Sequence, residues 1–136
     1  MSARLPNLPL LLRVFLALFA CLALGFGNAT ARESAPTTAA AIENVALSAL
    51  PAEAAETLAI IKRGGPYPYR RDGIRFGNYE KLLPIRAKNY YSEYTVPTPG
   101  LKHRGARRIV AGGNPQASGE YYYTDDHYRS FRRIKE

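Results

Sequence analysis

PAEAAETLAIIKRGG, residues 51–65, is the stretch whose reading decides the fold. Pro51 suits a first helical position, where its missing N–H would have no partner anyway. Glu53 and Glu56 sit near the positive end of the helix dipole, and Lys62 and Arg63 near the negative end. Ala54, Leu58 and Ile61 recur at helical spacing, and Gly64-Gly65 stops the run. The pattern predicts one amphipathic helix over 51–63. Beyond it, Gly, Pro and Asp punctuate short segments rich in Tyr, Thr, Val and Ile, the texture of strands. Strands are predicted at 74–76, 90–96, 107–111, 120–124 and 131–134, with Pro97, Pro99 and Gly100 separating the second from the third and a loop over 112–119. No internal repeat is present. One helix followed by a run of strands gives an α+β domain, an N-terminal helix packed on a twisted antiparallel sheet of about five strands.

Upstream of the helix the sequence changes character. Arg4 and Arg13 precede an apolar run, 14–26, that ends in small residues and Ala29-Thr30-Ala31, the layout of a secretory signal peptide over 1–31. The run is short of the roughly 20 apolar residues that a membrane-spanning helix needs. Residues 32–43, dominated by Ser, Ala, Pro and Thr, read as a flexible spacer, and 44–136 as the working domain. Export would place that domain outside the cell or in a periplasm, with no membrane association once the leader is gone. Cleavage would also remove Cys21, the single cysteine, so no disulfide could form and one compact core must supply the stability. The leader holds two of the 19 Lys and Arg and none of the 11 Asp and Glu, so the net charge falls only from +8 to +6. A basic surface fits a polyanion such as nucleic acid. Simple solubility would produce the same charge.

Three short stretches, 90–96, 104–110 and 123–128, carry the residues with the most chemistry: Glu93, Arg104, Arg108, His127 and Tyr128. A carboxylate can take a proton, an imidazole can give one, and two guanidinium groups can hold a phosphate between them. The combination suits a phosphodiester in RNA, whose own 2′-hydroxyl is the nucleophile, and it calls for no metal and no cofactor. Asp125, Asp126 and His127 invite a metal reading, but one imidazole beside adjacent carboxylates makes a poor closed site. Strand alternation puts Glu93 on one face with Tyr91 and Thr95, opposite Tyr94 and Val96. If Tyr94 and Val96 meet the helix, Glu93 lies on the opposite, open face. Arg107 and Arg108 must then face opposite sides, and parity alone does not say which one reaches Glu93. Arg129, Arg132 and Arg133 read as a solvated basic edge, and His103 as an ordinary loop histidine.

At these residues the chain resembles the small microbial guanyl-specific ribonucleases, the barnase-like family, and most closely its ribonuclease Sa branch. The likeness runs from Val45 to Ile134. It includes Leu47-Ser48-Ala49-Leu50-Pro51, Gly65-Pro66-Tyr67-Pro68-Tyr69, Asp72-Gly73, Phe76, Asn78, Glu80 and Leu83-Pro84. It continues through Tyr90-Tyr91, Glu93-Tyr94-Thr95-Val96, Thr98-Pro99-Gly100, Arg104-Gly105, Arg107-Arg108-Ile109 and Asp126-His127-Tyr128, in order and at near-constant spacing.

The resemblance implies that Glu93 is the general base and His127 the general acid, with Arg104 and Arg108 as a phosphate clamp and Tyr128 donating to the same phosphate. It chooses Arg108 over Arg107 for the clamp. It makes Glu80 the guanine reader, helped by the backbone of Gly77, Asn78 and Tyr79 and by Phe76 as a stacking surface. Single-stranded RNA would be cut after guanosine, first to a 2′,3′-cyclic phosphate and then to a 3′-phosphate, by a monomer. A barstar-like inhibitor protein, acidic enough to cover the cleft, is also implied. The sequence departs from the pattern at Gly77, where relatives carry Gln, at Tyr79, which replaces an Arg, and in lacking the cysteine pair that ties the ends of the Sa type. Two other readings use the same residues: a non-catalytic RNA-binding protein, and a nuclease effector aimed at competing cells.

Overall fold

The computed structural model describes residues 41–136. The predicted leader and most of the predicted spacer lie outside the described residues. The predicted helix forms as α1 (Ala52–Arg63), and the strands are β1 (Glu43–Ala46), β2 (Ile74–Phe76), β3 (Tyr91–Thr95), β4 (Arg108–Gly112), β5 (Tyr121–Thr124) and β6 (Arg132–Lys135). Pro51 sits one residue outside the helix as its N-cap, in extended backbone. Gly64 closes the other end at φ 81, with Gly64 N–H bonded to the Ile61 carbonyl and Gly65 N–H to that of Ile60. A side chain at that φ would be strained, which is why glycine ends the helix.

The sheet differs from the prediction in one respect. It has six strands in the order β1-β6-β5-β4-β3-β2, and the added strand, β1, runs parallel to β6 while every other pairing is antiparallel. The sheet is therefore mixed. Its first strand begins within the stretch read as spacer, at Glu43. A short 3-10 turn, Leu47–Ala49, leads from β1 into the helix.

The helix covers one face. Ala54, Leu58 and Ile61 are buried against Tyr94, Val96, Ile109, Ala111, Tyr121 and Tyr123. Thr57 adds a polar fastening, its hydroxyl donating to the Thr95 carbonyl at 3.3 Å. Arg107 faces this side too, 4.0 Å from Glu53 on the helix. The other face of the sheet is not open. Leu83, Tyr91, Val110, Tyr122 and Phe131 form a second buried cluster there, with Phe76, Tyr90 and Tyr128 packed on it. This face is roofed by the loops that follow β2 and β5, so groups rooted on it are shielded from water. The roof is what makes this face a site.

Leu58, 1% exposed, fills the centre of the helix-side core. Leu58→Ala is expected to cost about 3 kcal/mol, lost transfer free energy plus a cavity that the sheet cannot close. Urea unfolding should show a lower midpoint with an unchanged slope.

Candidate active site

Sheet register determines which side chains meet. In β3, Tyr91, Glu93 and Thr95 alternate toward the roofed face. The pairings Glu93↔Val110 and Thr95↔Arg108 bring Arg108 to the same side, and Arg108↔Thr124 extends the row into β5. Arg107, one residue earlier, turns to the helix. The ambiguity between the two arginines is thus resolved by the ladder.

Glu93 is only 7% exposed, not on an open face as the alternation suggested. An isolated carboxylate there would lose several kcal/mol of hydration. Both its oxygens are partnered: Arg104 Nη2 donates to Oε1 at 3.2 Å, and the Tyr128 hydroxyl donates to Oε2 at 2.5 Å. Arg104 Nε donates to Thr95 Oγ1 at 2.8 Å, which orients the fork. Behind it lies Asp72, whose Oδ1 accepts the Thr95 N–H at 2.8 Å and stands 4.0 Å from Arg104 Nη2. The loop that carries Arg104 is braced by His103, whose Nδ1 accepts the Gly105 N–H at 3.0 Å.

Arg108 is almost fully buried. Its Nη1 donates to three carbonyls, those of Arg104, Gly105 and Arg107, at 3.3, 3.0 and 2.7 Å. Its guanidinium carbon lies 5.9 Å from the centre of the Tyr128 ring. Nε is buried and has no hydrogen-bond partner among the described residues. Burial and the hydrogen bond to Glu93 push the Tyr128 hydroxyl up to about 12. Tyr128 therefore stays protonated, and a donor, at every ordinary pH.

His127 and Tyr128 follow β5 in a tight turn with φ of 59 and 70, left-handed backbone that costs a non-glycine residue on the order of 1 kcal/mol. Asp126 holds this turn. It accepts from Thr124 Oγ1 at 2.8 Å, from the N–H groups of Arg129 and Ser130 at 3.0 Å each, and from Ser130 Oγ. Burial pushes its carboxyl up, but these hydrogen bonds outweigh that and bring it down to about 2. Asp125 is separately engaged with Arg132 at 2.7 Å. His127 is exposed, its ring 5.3 Å from that of Tyr128, at the rim of the cluster rather than bonded within it.

His127 and Tyr128 also line a cavity of about 560 Å³ with Phe76, Asn78, Tyr79 and Glu80. The Phe76 ring stacks on Tyr128 at 5.1 Å and so forms part of the cavity wall. Asn78 spends its side chain on the loop itself, its amide donating to the Leu83 carbonyl at 2.9 Å and its oxygen accepting the Leu83 N–H at 3.0 Å. Glu80 is exposed beside the cavity. The ring of Tyr79 lies across Gly77: a Cβ on Gly77 would meet it at 2.4 Å. Sequence reasoning placed Thr95 on the face of Glu93 and named Asp72 and Asp126, but gave none of the three a part in holding the site.

The whole arrangement can take a proton at Glu93, give one from His127, hold an anion at Arg104 and Arg108, and admit a planar ring beside Phe76. A family model described as ribonuclease matches residues 32–135. Guanyl-specific ribonuclease Sa3 of Kitasatospora aureofaciens is 54% identical over 94 residues, 69% of this chain and 64% of the relative, a little under two thirds of that protein's length. Guanyl-specific ribonuclease St of Saccharopolyspora erythraea is 54% identical over 90 residues, 66% of this chain and 85% of the relative. Guanyl-specific ribonuclease Sa, also of Kitasatospora aureofaciens, is 52% identical, with 91% of its length matched. Among solved structures, ribonuclease Sa2 complexed with mononucleotides superposes with a TM-score of 0.66 at 47% identity, covering 71% of this chain and 96% of that one. Ribonuclease Sa2 with guanosine-2'-cyclophosphate gives 0.64 at 46% identity, covering 70% and 97%.

Asp126→Ala is expected to destabilise the domain at neutral pH by on the order of 1 kcal/mol, by loosening the turn that carries His127. The folded carboxyl titrates below its unfolded value, so its contribution is complete above about pH 4 and is lost as the pH falls toward 2. Urea denaturation at stepped pH should show the gap between wild type and variant narrowing over that window. A gap that stays constant would mean that the ionised carboxylate is not what holds the turn.

Proposed function

The chain belongs to the ribonuclease family, and from that premise we propose that it is a guanyl-specific endoribonuclease acting on single-stranded RNA. The observation that carries the reading is the convergence of Glu93 with Arg104 and Tyr128, over the fixed guanidinium of Arg108, beside a cavity that His127 and Glu80 share.

In the first step Glu93 takes the proton of the 2′-hydroxyl, whose oxygen attacks the adjacent phosphorus. His127 protonates the departing 5′-oxygen, leaving a 2′,3′-cyclic phosphate. In the second step His127 takes a proton from water, the hydroxide opens the ring, and Glu93 returns its proton to the 2′-oxygen. Negative charge grows on the non-bridging phosphate oxygens in both steps. The forks of Arg104 and Arg108, already held by Thr95 Oγ1 and by three backbone carbonyls, can meet that charge without rearranging. The Tyr128 hydroxyl starts on Glu93 and can pass to a phosphate oxygen once the carboxylate has accepted the substrate's proton.

Base choice follows from hydrogen-bond polarity. Guanine offers N1–H and N2–H₂ beside the O6 acceptor, so the carboxylate of Glu80 can accept both donors while N–H groups in the 77–79 segment serve O6. Adenine presents an acceptor where Glu80 needs a donor, leaving groups unpaired at about 1–3 kcal/mol each. Phe76, resting on Tyr128, gives the base a flat surface. The leader-like sequence of residues 1–31 supports export to the cell exterior or periplasm. The net charge of +6 that remains without the leader supports attraction to RNA and to an acidic barstar-like inhibitor, and the domain is proposed to act as a monomer. No helix among the described residues is long and apolar enough to cross a membrane.

His127→Ala should lower kcat by at least about 10²-fold while RNA binding persists, since a positioned general acid contributes about 10²–10⁴. Product ends from a four-base oligonucleotide, digested with EDTA present, should carry guanosine 2′,3′-cyclic phosphate. Wild-type protein that binds RNA and never cuts it would leave only the binding reading.

Glu80→Ala should keep slow cleavage but lose most of its preference for guanosine over adenosine, read as the ratio of kcat/KM for GpC and ApC. A preserved ratio would remove Glu80 from the base site.

A further inference from the structure

On the other side of the 76–79 segment from the guanine cavity lies a second hollow, about 280 Å³, that the reaction described above does not use. Its lining includes Arg75, Lys81, Arg86 and Lys88, and no Asp or Glu. All four cations are exposed, and among the described residues none of them makes an ion pair. Arg86 is stationed over the Tyr90 ring, 5.5 Å from its centre. Behind that ring Glu120 accepts the hydroxyls of Tyr90 at 2.6 Å and Tyr122 at 2.9 Å and offsets part of the charge of Arg86, leaving Arg75, Lys81 and Lys88 without an ion-pair partner among the described residues. Four like charges around one small hollow repel each other, and nothing in the packing of the fold requires them to be together. A polyanion laid into the hollow would relieve the repulsion and release its own counterions.

We propose that this hollow is a phosphate subsite for the RNA nucleotides on the 5′ side of the cleaved guanosine. It rests on the ribonuclease reading and adds to it a contact with substrate beyond the scissile linkage. The direction follows from the proposed acid. His127 protonates the departing 5′-oxygen, so the 3′ nucleotide leaves on the His127 side, and His127 lines the guanine cavity but not the basic hollow. The 5′ chain leaves the guanosine away from His127. Its path there crosses Tyr79, which is 84% exposed and borders both cavities. Contacts of this kind read phosphate rather than base, so the subsite should favour length over sequence. They should also weaken with salt, log K falling by about 0.7 per log unit of salt for each single-strand phosphate held.

The test compares wild type with the triple variant R75Q/R86Q/K88Q on three substrates at low salt: GpC, the 5′-extended ApApApGpC, and the 3′-extended GpCpApApA. Wild type should cut the 5′-extended RNA with kcat/KM on the order of tenfold above GpC, chiefly through a lower KM. The triple variant should lose that gain, cut GpC within about twofold of wild type, and treat the 3′-extended RNA as wild type does. Intact GpC cleavage in the variant also certifies that it folds. A gain that survives the three substitutions overturns the subsite. So does a loss seen on the 3′-extended RNA and not on the 5′-extended one. Wild type that cuts none of the three fails at the ribonuclease reading itself, a result distinct from cleavage that is merely indifferent to length.

Discussion

A carboxylate buried on a β-sheet has to be answered by its surroundings, and much of the site can be understood as the answer to Glu93. At 7% exposure it cannot rely on water, so Arg104 and Tyr128 each take one of its oxygens. Arg104 in turn needs Thr95 Oγ1 to fix its fork, and Thr95 has its own N–H drawn to Asp72. Tyr128 is brought within reach only because Asp126 ties the turn after β5. The chain of dependence runs from a single ionised group through two layers of hydrogen bonds into three separate loops. This is preorganisation in a concrete form: on the proposed reading Arg104 and Tyr128 meet a phosphate, and both are already held, by Glu93 and, for Arg104, by Thr95.

The sheet makes this possible by having two different faces. One is a conventional core against the helix. The other carries a smaller apolar cluster whose members, Tyr91, Val110, Tyr122 and Phe131, surround the polar row of Glu93, Thr95, Arg108 and Thr124. Apolar packing there lowers the local dielectric and strengthens each ionic contact it encloses. A one-residue slip of β4 against β3 would exchange Arg108 for Arg107 at the site and turn Ile109 and Ala111 out of the helix-side core. The helix-side core therefore protects the register of the site.

How much of this the sequence revealed depends on how local each cause is. The helix was legible because its spacing, terminal charges and Gly64 stop all lie within fifteen consecutive residues. The alternation in 90–96 correctly set Tyr94 and Val96 against the helix and Glu93 opposite. It could not reveal that Tyr128, Phe131 and Leu83 arrive from distant loops to roof that side. β1 escaped notice because its four residues, ENVA, are mostly exposed and owe their strand form to pairing with β6, some ninety residues away. In the sequence Asp126 stands only as part of a poor metal motif and of the family pattern Asp126-His127-Tyr128. Only the folded turn shows four donors converging on it. Strand parity left Arg107 and Arg108 open and the resemblance chose Arg108; the physical reason is the Thr95↔Arg108 register, which no single strand contains.

Gly77 and Tyr79 stand in the sequence as two unrelated departures from a family pattern, but in space they are one. The tyrosine ring rests where a side chain at position 77 would begin, a Cβ there coming within 2.4 Å of it. A larger residue at 77 would have to swing the ring aside, an inexpensive move for a tyrosine that is 84% exposed. Because the two positions share the same space, substitutions there should not add independently, and grafting either one alone into a relative would misrepresent what the pair does together.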